Sequence, residues 1–472
     1  MERLYGMVPV NCFDSCKHKT AYSKLFFCLS WFHSILLERS KFKSLGFNAT
    51  YEFNDSDFLI CKDLIKVLLE EYPNRIPFDA LKYLIGEAYY GGRVTDDWDR
   101  KILIVYMDAF FSTNATEEEN FKLSILEEYS IPNNASFSSH VSYIQHLPSF
   151  DNSHVFGQHP NAELSSQVLE ANNLLQSISM LQPDHECLST ATSDTSISEQ
   201  FVFTKFDGLP DAISSEEVNQ YLQTSSDADA IKTVLAHEVE NYKIMLSIVH
   251  ETTQNLKKAM RGQILMTSEL ETSLSFILQN RVPLEWLQIY PSSRPFDSWK
   301  KDLYRRIKQL RSWIESGSPK IFWLPGFTNP LGFLTAVLQT FARSKHISID
   351  SLSWQYIVKE NKDETIVTRP EDGVYVTGLF LEGAKWDSES HSLAEPESMK
   401  LYSTMPLIHF KPIESRRKCH MDAYHCPLYL SPVRSGTPQR PSFVIAVDLD
   451  GGDKESDHWT KRGVALLLST TE

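Results

Sequence analysis

The densest group of chemistry-bearing residues is Cys419, His420, His425 and Cys426, four soft or borderline metal ligands within eight residues. Structural zinc is held by spaced pairs such as Cys-x-x-Cys, because the spacing turns two ligands toward one point. Here both pairs are adjacent in sequence and their side chains diverge, so the expectation is a loop and strand edge; a zinc-dependent enzyme is the alternative. His237-Glu238 and His250-Glu251 each begin a zincin helix, which needs a second histidine one turn on. Asn241 and Gln254 stand there instead. A phosphate-binding loop needs Gly-x-x-x-x-Gly-Lys-Ser/Thr, and the nearest approach, Gly86 to Arg93, carries Gly92 in place of the lysine and two tyrosines inside the loop. There is no Gly-x-Ser-x-Gly elbow for a serine nucleophile.

Two acidic groups, Asp96/Asp97/Asp99 and Asp448/Asp450/Asp453, invite a divalent cation, but Gly452 falls where a calcium loop needs an acid. A helix start capped by Thr95 and a hairpin turn at Asp450-Gly451 account for them more simply. Trp299 to Arg311 (WKKDLYRRIKQLR) holds six basic residues against one acidic. Its Trp, Leu and Ile seam makes the basic side a solvated helix face, with an adaptor docking acidic proteins through Arg305 and Arg306 as the alternative. The sequence therefore predicts no catalytic, cofactor-binding or metal-binding residue.

The elements around these residues differ in character from one end of the sequence to the other. From Tyr22 to about Phe111, apolar residues recur at helical spacing, with Pro73 and Pro77 separating helices. Polar tracts follow over 112–147 and 189–200, and the main boundary is placed near Pro183. Helices are predicted over 227–260 and 268–279, around Trp299 to Ile314, and around Leu334 to Phe341. Beyond Ser348 the pattern turns to short β-rich runs: 374–381, 406–410, 428–430, 443–449 and 464–468. The predicted class is α+β, a helical module over 1–182, a helical bundle over 183–350 and a β-rich part over 351–472, the last a small antiparallel sheet or barrel packed on the helices.

With 46 Lys and Arg against 61 Asp and Glu, the net charge of -15 repels nucleic acid and anionic membranes at long range. Seven scattered cysteines suit free thiols in a reducing compartment. The longest apolar run, Leu25 to Leu37, is too short to span a bilayer and predicts a buried helix. No secretory signal is visible, which predicts a cytoplasmic or cytoskeletal protein without nucleic-acid or membrane partners.

Several long strings resemble the dynein heavy chain family. Lys24 to Asp57 and Gly86 to Arg100 (GEAYYGGRVTDDWDR) are similar to the helical lid of the sixth AAA+ module, and Phe156 to Gln182 to the end of that lid. Asn255 to Trp299, Phe322 to Phe341 (FWLPGFTNPLGFLTAVLQTF), Pro370 to Asp387 and the closing His458-Trp459 with Arg462 to Leu466 resemble the family's C-terminal domain. The resemblance implies a non-catalytic tail end of a minus-end-directed microtubule motor whose ATP sites and stalk lie in other modules. It implies packing against the other AAA+ modules of the ring, association with intermediate and light chains through the parent complex, and a setting in the ciliary axoneme. It also implies that the lid leaves apolar surface meant for a ring neighbour.

Overall fold

A computed structural model describes residues 1–133, 136–148, 151–181, 203–211, 213, 216, 220–221, 230–288, 292, 294–360, 368–414, 423–436 and 442–470. Two compact units are formed, and neither is one continuous stretch of polypeptide. The first comprises Met1–Asn173, Leu381–Ser403 and Asp422–Leu466, and the second Leu174–Phe380, Thr404–Met421 and Leu467–Glu472.

The first unit is organised on the helix Lys19–Arg39, whose Leu25, Phe26, Phe27, Leu29, Phe32 and Leu36 are fully or almost fully buried. The apolar run expected to form a buried helix does so. Its polar members find partners among their neighbours: Ser30 donates to the Phe26 carbonyl at 2.8 Å, Ser34 to the Ser30 carbonyl at 2.8 Å, and His33 Nδ1 pairs with the Tyr90 hydroxyl at 2.9 Å, while the buried His33 Nε2 has no hydrogen bond among the described residues. Burial holds the His33 imidazole down at about 4, so it is neutral, with Asp55 pulling the other way. Helices Asp55–Glu71 and Asp97–Phe110 pack against it, and Pro73 and Pro77 fall between helices as expected. Residues Tyr83–Tyr90 form a π-helix, a wider turn than the α-helical pattern predicted. Among the described residues no helix is long and apolar enough to cross a membrane.

The same unit carries a five-stranded sheet of β4 (Phe380–Glu382), β7 (Tyr402–Thr404), β9 (Ala423–Tyr429), β10 (Phe443–Asp450) and β11 (Ala465–Leu467), in the order β10-β9-β11-β4-β7. A two-stranded ribbon, β5 (Lys385–Asp387) with β6 (Ser392–Ala394), accompanies it.

In the second unit, helices Ala230–Met260, Ser268–Leu278, Phe296–Ser316 and Pro330–Lys345 lie close to the predicted spans. They bury a row of aromatics: Trp286 against Trp299 at 5.7 Å, Trp313 against Phe322 at 5.4 Å and Phe327 stacked on Phe333 at 4.3 Å. A mixed sheet completes the unit. Its β1 (Ile321–Trp323) runs parallel to β3 (Val374–Thr377), while β8 (Leu407–Glu414) is antiparallel to β3 and to β2 (Leu352–Lys359), giving the order β1-β3-β8-β2.

The α+β class holds, a helical first part followed by helices with sheets. The strands divide between separate open sheets, and among the described residues none closes into a barrel. Two local expectations are corrected. The run 374–381 is two strands of different sheets, β3 and β4, separated by Gly378-Leu379. Asp450-Gly451 is not a hairpin between the last two strands, because β9 lies between β10 and β11 and the helix Ser456–Arg462 intervenes. There Asp450 accepts from the Gly452 amide at 2.9 Å, and Trp459 Nε1 donates to the Gly451 carbonyl at 3.0 Å, tying a turn into a helix start.

Candidate functional site

The most heavily bonded polar region of the first unit lies where the lid helices meet the C-terminal sheet. Asn48 is its hub. Its backbone N–H donates to Asp99 Oδ1 at 2.9 Å, and its side-chain amide donates to Asp96 Oδ1 at 2.9 Å and to the Tyr429 hydroxyl at 2.8 Å. Its side-chain oxygen accepts from Arg434 at 3.3 Å. Arg434 is buried and closes an ion pair with Glu382 at 2.6 Å while also donating to the Gly463 carbonyl at 2.9 Å. A buried charge is tolerated only when paired and hydrogen-bonded, and this one is both.

Arg39, at the end of the central helix, does the equivalent work one step away. It is fully buried, and its guanidinium donates to the Gly46 carbonyl at 2.7 Å, the Tyr106 hydroxyl at 2.9 Å and the Lys461 carbonyl at 2.8 Å. Gly463 completes the joint, with φ 68 and a position where a Cβ would lie 2.4 Å from the Leu45 carbonyl oxygen. Only glycine fits such a backbone approach. A cavity of about 20 Å³, room for one water, remains between Asn48, Asp99, Tyr424 and Arg434.

Asp99 accepts from the Asn48 and Ala49 amides at 2.9 and 3.2 Å and from the Tyr51 hydroxyl at 2.9 Å. Burial nonetheless pushes its carboxyl up to about 6, with those donors and the nearby Asp96 opposing each other as smaller effects. Asp96, rather than Thr95, caps the Asp97–Phe110 helix, accepting from the Trp98 and Asp99 amides at 2.9 and 3.1 Å. The carboxylates of this group thus serve a helix N-terminus and a polar joint. Among the described residues no group of three or more His, Cys, Asp or Glu side chains is arranged to hold a metal ion.

The other residues singled out from sequence are dispersed. Cys419 and His420 lie outside the described residues. His425 and Cys426 are neighbours on β9: His425 is exposed and paired with Asp448, while Cys426 is buried and burial pushes its thiol far up. Consecutive residues of a strand face opposite sides, so these two cannot share a metal. His237 is exposed, and Glu238 turns the other way, buried, to accept from the Thr328 and Asn329 amides at 2.7 and 3.0 Å just before the Pro330–Lys345 helix. His250 pairs with the Pro210 carbonyl at 3.2 Å.

The basic helix does not support the adaptor alternative at Arg306, although Arg305 is exposed. Arg306 is buried, bonded to Asp302 at 2.8 Å and to the Tyr242 hydroxyl at 3.3 Å, and Arg305 lies over the Trp323 ring at 4.0 Å. A guanidinium in the core, holding Asp302, is not available to an acidic partner. Arg39, Glu382 and Arg434 were not singled out from sequence. Their partners lie from 6 to 422 residues away, and long-range pairing leaves no local pattern to read.

The joint unites two segments that separate family models also recognise. Residues 22–162 match the AAA lid domain of dynein heavy chains, and residues 168–468 match their C-terminal domain. The protein belongs to the dynein heavy chain family. It is 42% identical over 469 residues to the dynein-1-beta heavy chain of the flagellar inner arm I1 complex of Chlamydomonas reinhardtii, an alignment spanning 99% of the present sequence and 10% of that protein. It is 43% identical over 473 residues to dynein axonemal heavy chain 2 of Mus musculus, spanning 99% and 10%. Dynein axonemal heavy chain 1 of Homo sapiens is 36% identical over 472 residues, spanning 98% and 11%. The 472 residues thus span about a tenth of the length of these dynein heavy chains.

Proposed function

We propose that this polypeptide is the non-catalytic end of an axonemal dynein heavy chain, contributing to minus-end-directed, microtubule-based movement by packing against the other AAA+ modules of a motor ring. The reading is supported by the family match and by the names of its relatives, which are axonemal and flagellar dyneins. One structural observation carries the mechanical part. The Asn48–Arg434–Glu382 cluster, with Arg39 and Gly463, ties the C-terminal sheet to the lid through buried charges, so a displacement of the lid is transmitted to that sheet as one body.

In this proposal the lid module runs to about residue 182, with the helical and β-rich parts of the C-terminal domain over 183–350 and 351–472. The polypeptide itself hydrolyses no ATP. Intermediate and light chains join through the parent complex, in the cytoskeleton of the cilium. An element of this kind biases a ring only by contacting one ring state better than another. The test is a complete motor carrying Arg434→Met, assayed for gliding velocity and stall force. A changed stall force with ATPase sites intact supports coupling through the joint, and identical motion under load overturns it. Nucleotide binding or turnover by these 472 residues alone would overturn the non-catalytic reading.

A further inference from the structure

A recess of about 210 Å³ opens between the π-helix Tyr83–Tyr90 and the helix Asp97–Phe110. Its floor is Gly86 and Met107, both buried, and a Cβ on Gly86 would sit 2.8 Å from Met107 Cγ, so the glycine is what lets the two helices approach. Its apolar walls are exposed: Tyr83 keeps 59% and Ile104 36% of its surface in water. Both are large apolar side chains left open on the lid.

The rim is acidic. Asp79, Glu87 and Asp108 face a single cation, Lys82, and Lys82 is engaged with Asp108 at 2.7 Å. Asp79 and Glu87 have no ion pair among the described residues. Asp79, Tyr83 and Glu87 all line the recess, so both carboxylates and the ring border the same opening. The volume falls below that of a small-molecule or cofactor pocket. It suits one long side chain.

We propose that this recess is a docking site for an arginine presented by a partner protein segment. The two free carboxylates flank a guanidinium, which takes paired oxygens through its planar fork and stacks on the Tyr83 ring. The aliphatic stem lies on Met107 and Ile104. The site deepens the ring-packing reading, since another motor module is the natural bearer of such an arginine, but it is tested on this polypeptide alone, so its failure and that of the motor reading are distinguishable.

The experiment follows the Met107 methyl resonance of the 472-residue polypeptide, labelled at methionine methyls, during titration with Nα-acetyl-arginine amide and, in parallel, with the neutral isostere Nα-acetyl-citrulline amide. A saturable shift with the arginine compound, at least about tenfold weaker for citrulline and lost in Asp79→Asn/Glu87→Gln, is the expected result. Equal shifts for both compounds, or unchanged binding by the double variant, would overturn the site. Magnesium or calcium moving the resonance while arginine amide does not would equally overturn it, making the recess a cation site.

Discussion

Arg434 and Glu382 face each other at 2.6 Å with only 3% and 2% of their side chains exposed, and the same guanidinium reaches Asn48, 386 residues away in sequence. A pair so enclosed is held by its geometry rather than by its charge. Removing one partner leaves the other buried and uncompensated, whereas removing both leaves an apolar space. Arg434→Met is therefore expected to destabilise the first unit by about 3–5 kcal/mol, and Arg434→Met/Glu382→Leu by clearly less. Urea unfolding followed by tryptophan fluorescence checks the order; a double variant worse than the single one would contradict it.

Asp99 makes stability depend on pH in an unusual direction. Burial lifts its folded value to about 6, against about 3.9 for an unfolded aspartate. The folded state therefore takes the proton more readily, so this contribution is fully present below about pH 4 and is lost as pH rises through about 6. Two pH units correspond to on the order of 2–3 kcal/mol. Asp99→Asn should flatten the melting temperature between pH 4 and 6; an unaltered profile would show that the carboxyl is not so perturbed.

Glu395 has the opposite sign. Burial alone would raise its carboxyl, but hydrogen bonds from His458 at 2.6 Å and Arg462 at 3.1 Å, with the charge of Arg462, hold it down at about 2. Its contribution is present above the ordinary glutamate range near 4 and is lost as pH falls toward 2. Glu395→Gln should lower stability at pH 6 and leave it nearly unchanged at pH 2. Thermal melts at the two pH values separate this residue from Asp99.

Gly463→Ala combines a positive φ of 68 with a Cβ 2.4 Å from the Leu45 carbonyl oxygen. The backbone strain by itself costs about 1–3 kcal/mol, and the close approach adds to it. Hydrogen exchange of the β11 amides should speed up in this variant before exchange in the Ala230–Met260 helix does. A uniform change over all amides would argue against a local joint.

Helices were legible because their signal is local. The spacing of Trp299, Leu303, Ile307 and Leu310 and the apolar density of Leu25 to Leu37 put helices where the structure has them. Short strands were less so: Ile321–Trp323 and Lys385–Asp387 are three residues each, too brief for an alternating pattern to stand out. The run Val374 to Leu381 reads as one strand because nothing in its residues says that β3 and β4 join different sheets.

The sequence by itself determined the family, the helical first half and the β-rich end, since each rests on residue type at short spacing. The tertiary structure alone decided that Arg306 is inside, and that Leu381–Ser403 and Asp422–Leu466 share a compact unit with the lid. The reason is physical: spacing along a helix or strand fixes which face a side chain takes, whereas the partner of a buried Arg434 or Asn48 is chosen by which distant segments come within hydrogen-bond reach, and only the folded polypeptide brings them there.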